Sequence, residues 1–246
     1  MKKVALITGV SGGIGSALTK VFLRNNYYVE GTYNSDSESI ERLKTELKKE
    51  GFDEFFKVVK ADLSTREGIE MVLKDIKSNF SHVDAFISNA GMGLYSLIQD
   101  TTFEQWNSVM TVNAGAPYLL ASGVLPEMIS RQSGSLVFVS SVWGEVGASM
   151  ETAYSQSKSS LIGLTKALAK EVAPSKIRVN CVLPGVIDTK MNAIFSEEEK
   201  QKIIEQIPLS RMGEPNEIAD LVYFLCSDKA GYITGQVIKA DGGYTL

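Results

Sequence analysis

The sequence predicts an α/β fold: a doubly wound parallel sheet of about seven strands, with helices on both faces. Three observations predict it. Short runs of β-branched and other apolar residues recur along the chain, apolar on both faces, as suits strands covered by helices on either side. Longer amphipathic stretches separate them, several opened by capping signals. The alternation runs from end to end of the 246 residues with no linker, repeat, low-complexity tract or shift of composition. Residues 1–246 are therefore read as a single domain with right-handed crossovers.

The strands are expected at 3–8 (KVALIT), 27–33 (YYVEGTY), 55–61 (FFKVVKA), 83–88 (VDAFIS), 134–140 (GSLVFVS), 177–183 (IRVNCVL) and 235–240 (GQVIKA). Capping boxes pair Ser35 with Glu38, Ser64 with Glu67, Thr102 with Gln105 and Ser196 with Glu199, each marking a helix start. Pro215 after Glu214 marks another, running through NEIADLVYFLCS. Residues 186–212 are the least sheet-like part after the sixth strand. They begin beyond a strand's carboxyl end, where open α/β sheets bind ligands, so a substrate lid is expected there.

Composition narrows the functions. Charged residues make up 22% and hydrophobic residues 44%, with a net charge of −4, so there is a substantial core and no basic field for nucleic acid or an anionic membrane. The two cysteines, Cys181 and Cys226, lie in apolar runs and read as inert buried thiols. With one histidine, His82, a His-based metal site or a Ser/His/Asp triad has almost no material, and no metal is expected. The start MKKVALITGVSGG is too short in its apolar run for a signal peptide, and no stretch is read as a spanning helix. A cytoplasmic, soluble protein is expected.

The first strand runs into TGVSGGIG (8–15) and then a helix. This is where a dinucleotide's pyrophosphate meets the unpaired N–H groups and positive end of a helix, and Gly9, Gly13 and Gly15 would let backbone approach it closely. Further along, TAYSQSK places Tyr154 four residues before Lys158 on an expected helix, one turn apart on one face. A phenol beside a lysine ammonium would have its pKa drawn down toward neutrality, which suits an acid that protonates a carbonyl oxygen accepting hydride. Ser141, thirteen residues upstream at a strand end, could reach the same oxygen.

The Gly-x-x-x-Gly-x-Gly turn with flanking Thr8 resembles that of the short-chain dehydrogenase/reductase family, and the resemblance extends along nearly the whole chain. It implies a Rossmann-type fold. ADL (61–63) matches the family's adenine-contacting acid, Asp62, with Leu63 beside it, and SNAG (88–91) resembles its Asn-Asn-Ala-Gly signature, Ser88 replacing the first Asn. Asn113 in TVNAG, Ser141 in VSSVWG, and Tyr154 with Lys158 stand at the family's catalytic positions. In such enzymes the lysine also grips the nicotinamide ribose, and the asparagine holds a water that resupplies the proton. LPG (183–185) with Thr189 matches the nicotinamide-side turn. The resemblance thus implies cofactor contacts from Gly9, Ser11, Gly12, Gly13, Ile14 and Gly15, from Asn89, Ala90 and Gly91, and from Pro184, Gly185, Val186, Ile187 and Thr189.

At the end of the second strand an NAD-preferring member carries an aspartate, but here Tyr33, Asn34 and Ser35 follow instead. NADP(H) is therefore favoured over NAD(H), although Gly12 stands where many NADP-using relatives have a basic residue, and Asp36 and Glu38 lie close by. The C-terminal region from Pro208 is similar to that of 3-oxoacyl-acyl-carrier-protein reductases, implying a 3-oxoacyl thioester substrate, an acyl carrier protein partner and a homotetramer. The two carrier-docking arginines align with Gln132 and Ser175, and Arg131 and Lys176 are the neighbouring substitutes. That departure keeps other ketones and secondary alcohols open, among them sugars and polyols, and a non-enzymatic nucleotide sensor is the remaining alternative. Trp143 is a candidate for the pocket wall.

Overall fold

The computed structural model describes residues 2–190 and 196–246. Of the expected lid, residues 191–195 lie outside the described residues. Strands β1 (Lys3–Ile7), β2 (Tyr27–Tyr33), β3 (Phe56–Lys60), β4 (Ala85–Ser88), β5 (Gly134–Val139), β6 (Ile177–Pro184) and β7 (Val237–Ala240) form one parallel sheet in the order β3-β2-β1-β4-β5-β6-β7. All seven expected strands form, within two residues of the expected ends.

Alternation along each strand divides the core in two. Val4, Leu6, Phe86, Leu136 and Phe138 point to one face, and Ala5, Ile7, Ala85, Ile87, Val137 and Val139 to the other. The first face is covered by α3 (Arg66–Asn79), by the continuous helix made of α4 (Phe103–Met110), a π-helical turn (Thr111–Gly115) and α5 (Ala116–Arg131), and by α7 (Thr152–Val172), after a short α6 (Trp143–Val146). The second is covered by α1 (Gly13–Arg24), α2 (Ser37–Lys49) and α9 (Pro215–Cys226), the last following α8 (Glu197–Gln206). Phe22, Phe86 and Phe138 are the largest fully buried side chains among the described residues; burying such a ring contributes roughly 1.5–3 kcal/mol.

The caps at Thr102 and Ser196 form as read, and at the start of α9 the Glu217 carboxylate accepts from Glu214 N (2.8 Å). Two other starts differ. Helix α2 is capped by Asp36, not Ser35: the Asp36 carboxylate accepts from the Ser39 amide (3.0 Å) and hydroxyl (2.7 Å), and its charge faces the positive helix end. Helix α3 is capped by Thr65, not Ser64, because the Asp62 carboxylate takes the Ser64 amide (2.9 Å) in a turn and leaves Thr65 Oγ1 to accept from Gly68 N (3.1 Å). A Cβ at Gly68 would lie 2.0 Å from the Asp62 carbonyl oxygen, so the turn and the helix start close on each other there.

One further reading needs correction. The helix Phe103–Arg131 is long and apolar enough to cross a membrane by length and composition. Its stripe of Ala116, Leu120, Ala121, Val124 and Met128 is spent on the sheet, as one layer of the fold.

Candidate active site

The order of the strands reverses between β1 and β4, which opens a crevice at their carboxyl ends. Thr8, just past β1, stitches the two sides: its buried hydroxyl accepts from Asn89 N (3.0 Å) and Ala90 N (2.9 Å). Asn89 Nδ2 returns bonds to the carbonyls of Thr8 (3.0 Å) and Gly9 (3.2 Å). Gly9 sits at φ +73°, and a Cβ there would lie 2.8 Å from Ala90 Cα. Gly15 approaches closer still, its Cβ falling 2.1 Å from the Gly9 carbonyl oxygen. The turn is thus folded on itself in a way only glycine allows.

Gly12 caps α1 without any side-chain bond, so Gly13, Ile14 and Gly15 open the helix beside Ser11 with its positive end unblocked. A Cβ on Gly13 would stand 2.7 Å from Thr189 Cγ2, which brings the turn after β6 onto the glycine turn. That segment is held from behind. Pro184 O accepts from Val142 N, Gly185 N donates to Ala240 O, Val186 O accepts from Gly213 N, and Ile187 is buried. On the other flank, Val10 N donates to Thr32 O and Ala61 N to Tyr33 O, so the ends of β1, β2 and β3 lie side by side. Tyr33 is half-buried against the core, Asn34 and Ser35 are exposed beyond it, Leu63 is buried and Asp62 is exposed. The cradle fits a dinucleotide: glycine where backbone must approach, an unblocked helix start, and polar groups at the rim.

The catalytic candidates form a second cluster joined to the first through Gly91. A Cβ on Gly91 would lie 3.1 Å from Lys158 Nζ and 3.3 Å from Asn113 Oδ1. Asn113 lies in the π-helical turn, and such single turns often mark functional sites. Its side chain is fully committed: Oδ1 accepts from Met92 N (2.8 Å), and Nδ2 donates to Met92 O (2.9 Å) and to Ser157 Oγ (3.0 Å). Lys158 is buried, with Nζ donating to Val139 O (2.9 Å) and its own carbonyl accepting from Ser140 Oγ (2.7 Å). Gly144 permits this, since a Cβ there would meet the Lys158 backbone at 2.8 Å. Ser141 follows β5, and its hydroxyl accepts from Trp143 N (3.2 Å) and bonds the Tyr154 hydroxyl.

The electrostatics differ from the expectation for the Tyr/Lys pair. Burial pushes the Tyr154 phenol up to about 12, against a smaller opposing pull from the Ser141 hydrogen bond. Burial likewise pushes Lys158 down to about 8. Lys158 Nζ lies 5.8 Å from the centroid of the Tyr154 ring and is turned to the Val139 carbonyl. Desolvation therefore outweighs the attraction one helical turn would supply, and the phenol is held protonated.

Sequence reasoning missed three supports: Met92, whose backbone clamps Asn113; Ser157, which sits one turn after Tyr154 on the inner face of α7; and the Val139 carbonyl beneath Lys158. Only Ser157 carried a signal, through its place inside YSQSK. The carrier-docking substitutes are not at this mouth. Arg131 ends α5 at the opposite, amino edge of the sheet, bonded to Asp84 (3.0 Å), the Val83 carbonyl (2.7 Å) and Glu127. Lys176 immediately precedes β6 at that same edge.

Residues 9–245 match the profile of a family described as enoyl-(acyl carrier protein) reductase. The chain belongs to the short-chain dehydrogenase/reductase family. Among its relatives, an uncharacterized oxidoreductase of Bacillus subtilis, YmfI, is 39% identical over 244 residues, covering 99% of each chain. The 3-oxoacyl-[acyl-carrier-protein] reductase FabG of Staphylococcus aureus is 35% identical over 243 residues, with 99% of this chain and 98% of that one covered. The Thermotoga maritima FabG is 36% identical over 244 residues, with the same coverage. The protein is an NAD(P)-dependent short-chain oxidoreductase.

Proposed function

We propose that this oxidoreductase reduces a ketone with NADPH, and that the ketone is a 3-oxoacyl thioester on acyl carrier protein, as in fatty acid synthesis in the cytoplasm. The observation that carries the chemistry is the convergence of Ser141, Tyr154, Lys158 and Asn113 beside Gly91, next to a glycine cradle. The cradle residues Gly9, Ser11, Gly12, Gly13, Ile14 and Gly15 would hold the pyrophosphate, with Asp62 and Leu63 at the adenine and Asn89, Ala90 and Gly91 between the two ends. Pro184 to Ile187 and Thr189 would border the nicotinamide, which when bound supplies the hydride. Ser141 and Tyr154 then present two hydroxyls to one carbonyl oxygen, and Tyr154 delivers the proton as negative charge develops there. Lys158, largely cationic at neutral pH by its pKa of about 8, stabilises the phenolate left behind and bonds the ribose. Asn113, clamped to Met92 and Ser157, keeps the floor of the site in place.

The substrate class rests on the activity for which the relatives are named and on the C-terminal likeness. A second reading is favoured by the position of Arg131, engaged at the far edge of the sheet: a free ketone, sugar or polyol not delivered by a carrier. The test is a panel of 3-oxoacyl and trans-2-enoyl thioesters, simple ketones and polyols, followed by nicotinamide absorbance. Fastest turnover on 3-oxoacyl thioesters supports the proposal. Preference for enoyl thioesters points instead to the activity named by the family profile, and inertness toward every substrate points to a nucleotide sensor.

A further inference from the structure

Just after Thr189, the chain sends Lys190 across the mouth of the cradle. Its Nζ lies 3.0 Å from Asp36 Oδ2 and 2.8 Å from Ser39 Oγ, at the first turn of α2. One end of this bridge is fixed by Thr189 against Gly13, and the other by Asp36, which caps α2 immediately beyond Tyr33, Asn34 and Ser35. The bridge therefore joins the nicotinamide-side turn to the rim of β2 at which this fold distinguishes a ribose 2′-hydroxyl from a 2′-phosphate. Gly12, at the start of α1, supplies no cation there. Near that rim Arg42 is engaged along its own helix with Ser39 and Glu38, and Lys60 stands opposite Tyr33 on the neighbouring strand.

We propose that Lys190 is the specificity residue for the 2′-phosphate of the cofactor, exchanging its Asp36 contact for the phosphate when the nucleotide enters. The exchange is cheap, because both side chains are substantially exposed and surface pairs of this kind are weak. A phosphate offers the ammonium a doubly charged acceptor in place of a carboxylate. Asp36 is then the opposing element. It caps the helix, competes for Lys190 and repels the phosphate, so its charge lowers the preference that Lys190 creates.

This inference rests on the NADPH reading, and the test separates the two. Calorimetric titration with adenosine 2′,5′-bisphosphate and adenosine 5′-monophosphate isolates the phosphate without any turnover. The wild type should bind the bisphosphate more tightly. Lys190→Met should cut that preference roughly tenfold, which is about 1.4 kcal/mol, while leaving the monophosphate unchanged. Lys190→Arg should keep it, and Asp36→Asn, which retains a capping side chain, should widen it. A wild type that prefers the monophosphate overturns both readings. A wild type that prefers the bisphosphate, with the same preference in Lys190→Met, overturns the role of Lys190 and leaves the NADPH reading standing.

Discussion

Glu30 lies in the middle of β2 with no solvent exposure, and one of its carboxyl oxygens, Oε1, has no hydrogen-bond partner among the described residues. The other accepts from Asn79 Nδ2 (3.0 Å), which also bonds Asp75 (3.0 Å), while Lys57 reaches the Asn79 carbonyl (2.7 Å) without reaching Glu30. Burial above all, helped by the Asp75 carboxylate and only partly offset by the Asn79 bond, pushes Glu30 from 4.5 up to about 7. An unfolded chain releases this proton near pH 4.5, whereas the folded chain keeps it to about 7. Through that window the unfolded state binds fewer protons, so stability falls as pH rises, and above about 7 the loss is complete. At about 1.4 kcal/mol for each pH unit, the loss is on the order of 3 kcal/mol. Glu30→Gln removes the titration, accepts the Asn79 bond through its carbonyl and offers Asp75 an amide. In urea unfolding it should match the wild type at about pH 4 and exceed it by up to about 3 kcal/mol at about pH 8. Equal destabilisation at both pH values would mean that Glu30 is ionised and well paired in the native protein, and the reasoning would be wrong.

Tyr154→Phe should lower ketone reduction by ~10²–10⁴ while leaving nucleotide affinity and the unfolding midpoint near wild type, because only the hydroxyl is removed; a variant that retains most of its turnover would remove Tyr154 from the mechanism. Lys158→Ala should weaken both turnover and nucleotide binding, and an unchanged Kd for NADPH would exclude contact with the ribose. The protein should run as a homotetramer in light scattering, since Phe103, Tyr118 and Leu119 expose 70%, 60% and 46% of their surface on α4 and α5, apolar area of the kind a partner's helices cover. A monomer at micromolar concentration would count against that assembly.

What was legible in the sequence was what lies close along the chain or repeats with the period of an element. The two-residue period of KVALI sends Val4 and Leu6 to one core and Ala5 and Ile7 to the other, and short runs apolar on both faces placed every strand. Tyr154 and Lys158 could be put together because a helix brings residues four apart onto one face. The Lys190–Asp36 contact spans 154 positions, and no local pattern encodes it. The capping serines were misplaced by one residue because Asp36 and Asp62 are carboxylates beside them, and a charged acceptor wins the nearby amide.

The field inside the site was the least legible property, and it bears on the direction of the reaction. Sequence spacing pairs a phenol with an ammonium, which alone would favour phenolate, the form needed to take a proton from an alcohol. Burial reverses that balance, holding Tyr154 up to about 12 and Lys158 down to about 8. The phenol is therefore loaded with the proton that a ketone requires. The alkoxide formed when hydride arrives is a stronger base than a phenolate, so transfer from Tyr154 runs downhill even from this raised pKa. Under the proposed mechanism, oxidation would first have to deprotonate a buried phenol against desolvation, so the resting protonation state is the one that ketone reduction would use.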